Sequence, residues 1–106
     1  MRLDSVTRES VLAALDEHGR ELRRLGVRRL GLFGSTARGQ AGSESDLDFV
    51  VDLDRRTFDA YMDVKLFLED LFGRRVDLVL TDSIKPRLRD RILGEAVYAS
   101  GLSGLS

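Results

Sequence analysis

Asp46-Leu47-Asp48-Phe49-Val50-Val51-Asp52-Leu53-Asp54 alternates with a period of two: Leu47, Phe49, Val51 and Leu53 fall on one face, and Asp46, Asp48, Val50, Asp52 and Asp54 on the other. The alternation predicts a half-buried strand with an acidic outer face. Aspartate is depleted in strands, so four of them in nine residues require a reason beyond solubility. Asp46 and Asp48, at i and i+2, project their carboxylates side by side, about 6–7 Å apart at the backbone. Such a pair repels itself unless a hard cation such as Mg²⁺ is shared between them. Asp52 and Asp54, nearer the strand end, read as solvated surface.

Upstream, Val27 to Phe33 is a short apolar-rich run closed by Gly34, too short for a helix and so a strand. Gly34 to Ser45 reads as one helical turn followed by a loop. Earlier still, Val11, Leu15, His18, Leu22 and Leu25 recur at steps of four and three, predicting one helix from Ser5 to Leu25. Asp4 or Ser5 is its expected N-cap and Gly26 its terminator. His18 lies on the apolar stripe of that helix and reads as a packed core or boundary residue. Downstream, Thr57 caps a helix whose stripe is Phe58, Tyr61, Val64, Leu68, Leu71 and Phe72, with Lys65 and Glu69 paired on its side and Gly73 at its end. Arg74 to Leu80 alternates again, with Val76, Leu78 and Leu80 opposite Asp77 and Val79. A proline-started helix bearing Leu88, Ile92 and Leu93 follows Ser83.

The order is α-β-α-β-α-β-α. The link between the last two strands is long enough for a right-handed parallel crossover, whereas that between the first two is near the minimum. A two-layer α+β fold is expected, with a small mixed three-stranded sheet and helices on its aliphatic face, leaving Asp46, Asp48 and Asp77 on the uncovered face. If the third strand lies beside the second, Asp77 adds a third carboxylate that ligates metal or takes a proton from an attacking hydroxyl. Residues 1–98 are expected to form one domain, and 99–106 a frayed tail.

The chain of 106 residues is 42% hydrophobic and 33% charged, with 17 basic and 18 acidic side chains, a net charge of −1 and no cysteine. No apolar run approaches the roughly 18 residues of a membrane span, no secretory signal opens the chain, and thiol chemistry is excluded. A cytoplasmic protein is expected. Near-neutral charge and the lack of a basic aromatic groove argue against direct nucleic-acid binding. Fifteen of the 17 basic residues are arginine, and their clusters (Arg20 to Arg29, Arg74 and Arg75, Lys85 to Arg91) read mainly as solvated faces and helix-end complements.

Gly34-Ser35 sits where the first strand turns into a short helix. Glycine admits close backbone approach, the turn offers N–H groups and serine a hydroxyl, together an anion cradle suited to a triphosphate, to which Arg38 adds a charge-assisted donor. Gly34-Ser35, ten residues and then Asp46-Leu47-Asp48 form a Gly-Ser-x10-Asp-x-Asp pattern. With Gly31-Leu32-Phe33-Gly34-Ser35-Thr36-Ala37-Arg38-Gly39, and Asp77 downstream within Arg74 to Leu80, the chain resembles the polymerase-β-like nucleotidyltransferase superfamily over residues 10–98, and within it the minimal nucleotidyltransferase (MNT) antitoxins.

The resemblance implies that Gly34 and Ser35 hold ATP, that Asp46, Asp48 and Asp77 hold Mg²⁺, with two ions expected, and that AMP passes to an acceptor hydroxyl with release of pyrophosphate. Larger members carry a helical acceptor domain, for which no sequence remains here beyond about residue 98, so the acceptor is expected to be a protein partner. Minimal members resemble antitoxins that adenylylate a tyrosine of a small all-helical HEPN ribonuclease toxin. The alternatives are a binding module that neutralises such a partner by occlusion, and a transferase for a small molecule of aminoglycoside type.

Overall fold

The computed structural model describes residues 7–37 and 46–99, with the backbone alone for Ser35 and Thr36. Along them run α1 (Arg8–Glu17), α2 (Gly19–Arg24), β1 (Val27–Phe33), α3 (Gly34–Ala37), β2 (Leu47–Leu53), α4 (Phe58–Phe72), β3 (Val76–Leu80), a 3₁₀ turn (Thr81–Ser83), α5 (Pro86–Glu95) and β4 (Val97–Tyr98).

The helix expected over 5–25 is two helices. Thr7 caps α1 in a reciprocal box with Ser10, whose N–H donates to Thr7 Oγ1 at 3.0 Å while Thr7 N–H donates to Ser10 Oγ at 2.9 Å; Asp4 and Ser5 lie outside the described residues. At His18 the backbone leaves the helical region (φ −104°, ψ 21°). Its Nδ1 lies 2.9 Å from Ala14 O, a bond that calls for the proton on that nitrogen. Gly19, a weak helix former, follows, and is buried where the two helices meet. His18 is half-buried, edge-on to Phe67, as its place on the stripe predicts.

The sheet order is β3-β2-β1-β4, with β1 antiparallel to both β2 and β4 and with β2 parallel to β3. The mixed character accords with link lengths: α4 serves as the parallel crossover, while the β1–β2 link, near the minimum for one, makes a reversal. Leu30 and Leu32 of β1, Leu47, Phe49, Val51 and Leu53 of β2, and Val76 and Leu78 of β3 form the buried face, packed against Val11, Leu15, Leu22, Val64, Leu68 and Phe72 of the helices. Phe49 and Phe72 stack with centroids 6.0 Å apart.

Three features depart from the pattern read in the sequence. A fourth strand, β4, lies beyond the expected three. Ala99, expected in the tail, is buried and donates its N–H to Leu30 O at 3.0 Å; residues 100–106 lie outside the described residues. Val50, placed on the outer acidic face, is fully buried. Gly31 is paired with both Val50 and Tyr98 and links two of these features. A Cβ there would stand 3.0 Å from the Tyr98 ring and 3.3 Å from Val50 Cγ1, so the bare backbone lets Tyr98 lie across β1 and cover Val50. The Arg29 guanidinium caps the same ring at 4.6 Å. Helices therefore fill one face while the Tyr98 side chain lies on the other beside Gly31, and α5, with no buried residue, runs outside the core against β1 and α3.

Strand β3 is a sheet edge. In a strand the N–H and C=O of one residue point the same way, and those of Val76 turn outward. Helix α4 satisfies both: Val76 N–H donates to Glu69 Oε2 at 3.1 Å, and Lys65 Nζ donates to Val76 O at 3.0 Å and to Glu69 Oε2 at 2.7 Å. Tyr61 Oη donates to the next outward carbonyl, Leu78 O, at 2.6 Å.

Candidate functional site

Gly34 follows β1 and begins α3 with φ +79°, a left-handed conformation that side-chain-bearing residues rarely adopt. A second constraint is steric: a Cβ at this position would collide with Asp48 Oδ2. The Gly-Ser turn and the Asp-x-Asp strand, ten residues apart in sequence, thus close on each other in space. Antiparallel pairing of Phe33 with Asp48 fixes that approach. Arg8, at the start of α1, donates from Nη1 to Ala37 O at 3.3 Å and ties the end of the short helix to the core layer.

Parallel pairing of β2 with β3 places Asp77 directly opposite Asp48, so the two residues stand side by side at the strand spacing of about 4.8 Å. Asp48 is half-buried beneath the Gly34 turn, whereas Asp77 is exposed. Asp46 immediately precedes β2, is exposed, and shares the alternation that points Asp48 away from the core. Gly34, Asp48 and Asp77 are therefore brought together in one row, and Asp46 stands one step outside it. Among the described residues no three acidic or imidazole side chains gather closely enough to hold an ion by themselves. Arg38 lies outside the described residues, as does the side chain of Ser35. Of the two outlying aspartates, Asp54 is exposed and pairs with Arg28 at 3.4 Å, a surface contact.

One neighbour of the turn carries no motif. Helix α5 crosses beside it, and Phe33, Gly34, Leu88, Arg91, Ile92 and Glu95 line a hollow of about 250 Å³. The signal available in the sequence is the i, i+4 pair Leu88 and Ile92 on an otherwise charged helix. Arg91, read with its neighbours as part of a solvated cluster, lines this hollow and pairs with Glu95 at 3.7 Å.

A family model for the nucleotidyltransferase domain matches residues 15–99. The protein adenylyltransferase MntA of Thermococcus cleftensis is 40% identical over 95 residues, 88% of this chain and 96% of that one. A Methanocaldococcus jannaschii protein named for the same activity is 40% identical over 73 residues, 68% of this chain and 78% of that one. A solved minimal nucleotidyltransferase superposes with a TM-score of 0.75 at 39% identity, covering 86% of this chain and 94% of its own. A chain from the Shewanella oneidensis complex of a tri-AMPylated HEPN toxin with its MNT antitoxin shares the fold at a TM-score of 0.59 and 18% identity, over 83% of this chain and 71% of that one. No helix among the described residues is long and apolar enough to cross a membrane. With the domain match running from Leu15 through the Gly34 turn and both aspartate strands to Ala99, the chain belongs to the nucleotidyltransferase domain family.

Proposed function

We propose that this chain transfers AMP from ATP to a hydroxyl of a protein acceptor, a small all-helical HEPN-type toxin that the modification silences. The observation that carries the reading is the closure of the Gly34 turn onto Asp48 with Asp77 alongside. The 40% identity to a protein adenylyltransferase supports the choice of acceptor class.

The Gly34-Ser35 backbone, without a Cβ at its head, admits the triphosphate closely, and Arg38, three residues further along the sequence, is the proposed charge-assisted donor. Asp46, Asp48 and Asp77 would hold magnesium: an all-carboxylate donor set suits a hard cation that takes its remaining oxygens from substrate phosphates. Bound there, the metal supplies charge neutralisation to the phosphates. Asp77, exposed next to Asp48, stands where it can accept the proton of an incoming hydroxyl. The acceptor oxygen forms a bond to the α-phosphorus, the α–β anhydride bond breaks, and pyrophosphate leaves. Positioning and electrostatics carry the reaction, and no covalent nucleophile of the protein is required.

Intact-mass analysis of a HEPN-type toxin, after incubation with the protein, ATP and magnesium, should show addition of AMP. Asp48→Asn and Asp46→Asn should lower the labelling rate by roughly a hundredfold or more. Labelling that is unchanged in both variants would overturn the assignment. Unlabelled toxin, neutralised equally by wild type and the double variant, would establish occlusion instead.

A further inference from the structure

We infer that the hollow between α5 and the end of β1 is the seat of the nucleobase, so that α5 selects the nucleotide while the Gly34 turn holds its phosphates. The inference rests on the nucleotidyltransferase reading above and extends it to a surface that the motif residues do not include.

Four observations converge. Gly34 is shared: it heads the turn against Asp48 and also lines the hollow, so a ligand with phosphates at the turn has its other end within reach of α5. The walls are the right chemistry, with the Phe33 ring and the aliphatic side chains of Leu88 and Ile92 offering apolar contact to a flat heterocycle. The size fits a part of a ligand: about 250 Å³ lies below the roughly 300–1,000 Å³ of clefts that engulf a whole drug-sized molecule. It has room for one ring system, with sugar and phosphates left outside. Finally, α5 contributes nothing to the core, and Leu88 remains 38% exposed although it is a large apolar residue one helical turn before Ile92. An apolar i, i+4 pair turned away from the core and toward a catalytic turn is accounted for by a ligand that covers it.

The polar rim sets the preference. Arg91 and Glu95 lie on the same helix beside the apolar wall. A carboxylate accepts hydrogen bonds and donates none, so Glu95 favours the exocyclic amine of adenine over the carbonyl oxygen that uracil carries at the corresponding place. ATP is expected to bind more tightly than UTP for this reason, while the apolar walls serve every base alike.

The chain contains no tryptophan, so Leu88→Trp introduces a single reporter into the wall. Its emission should change on titration with ATP in magnesium buffer and not with inorganic tripolyphosphate, which has no base. In calorimetric titrations of the full chain, Leu88→Ser and Ile92→Ala should each weaken ATP binding about five- to tenfold, within the range of a single lost stacking contact. Tripolyphosphate affinity should stay unchanged, and Glu95→Gln should narrow the ATP-over-UTP ratio. Gly34→Ala should weaken both ligands. Equal loss of ATP and tripolyphosphate in the α5 variants, or loss of neither with wild-type binding intact, overturns the base seat and leaves the transferase reading standing. Failure of wild type to bind either ligand overturns both. Because Leu88 is exposed and outside the core, Leu88→Ser retains the thermal midpoint, so a loss of ATP binding in it is not a loss of fold.

Discussion

Gly34 carries two demands that no other residue type meets together. Its φ of +79° disfavours any side chain, and the volume that a methyl group would need is occupied by the Asp48 carboxylate. Alanine at a left-handed position costs about 1–2 kcal/mol, a loss that a domain of this size survives. The displaced aspartate matters more, because a carboxylate moved by about 1 Å at a phosphoryl-transfer site costs on the order of a hundredfold in rate. Gly34→Ala should therefore abolish nearly all AMP transfer while urea denaturation shows a folded protein less stable by that small amount. A variant with full activity would mean that the contact with Asp48 has no catalytic consequence. At this scale the sequence was eloquent about identities and silent about proximity. The spacing of Gly34, Ser35, Asp46 and Asp48 was legible as a motif. That Asp77 faces Asp48 was not, since strand order is a tertiary fact that periodicity does not encode; the resemblance to a family suggested it, and parallel pairing of β2 with β3 places the two side by side.

Elements with a strong period were read well. Strand β2 and helix α4 with its Thr57 cap form where the periods of 46–54 and 58–72 place them, Thr57 Oγ1 accepting from Ala60 N–H at 3.1 Å, but Val50 is buried on the face read as acidic and Phe58, read as part of the α4 stripe, is exposed. Elements without one were not. Strand β4 is two residues long, too short for any pattern, and its Tyr98 pairs with Gly31, far away in sequence, where a side chain would crowd the ring. The break at His18 was hidden because the apolar stripe continues through it. The clasp between α4 and β3 was half visible: Lys65 and Glu69 were paired at i, i+4, but their shared grip on Val76 was not. That grip has a titration signature. The Lys65 ammonium first, then the Val76 N–H, hold the Glu69 carboxyl below its ordinary value of 4.5. A depressed folded-state pKa means the clasp contributes in full above the ordinary value and fades as pH falls through the lowered one. Glu69→Gln should thus lower the thermal midpoint at neutral pH, and its gap from wild type should narrow on acidification below 4.5. A gap independent of pH would show that the carboxylate charge is irrelevant. Tyr61→Phe, which strands Leu78 O, should cost about 1 kcal/mol in urea denaturation at neutral pH.

For the molecule as a whole, the same clasp governs association. An unprotected edge strand is a template for pairing with another chain, and the outward N–H and C=O of Val76 and the C=O of Leu78 are already engaged by α4. Replacing Lys65 and Glu69 together with alanine exposes one donor and one acceptor at the edge. Light scattering over a concentration series should then show self-association that wild type lacks at the same concentrations. If the double variant remains as dispersed as wild type, edge protection lies elsewhere. Closing that border has a consequence for how the protein finds other proteins. Strand addition reads mostly backbone and tolerates many sequences, whereas helix and loop surfaces read side chains one by one. With the Val76 and Leu78 carbonyls and the Val76 N–H already taken, recognition there falls more to side chains such as the exposed Phe58 and Leu66 of α4. Partner choice on that flank is therefore written in residues that evolution can exchange singly, without disturbing the sheet that holds the aspartates.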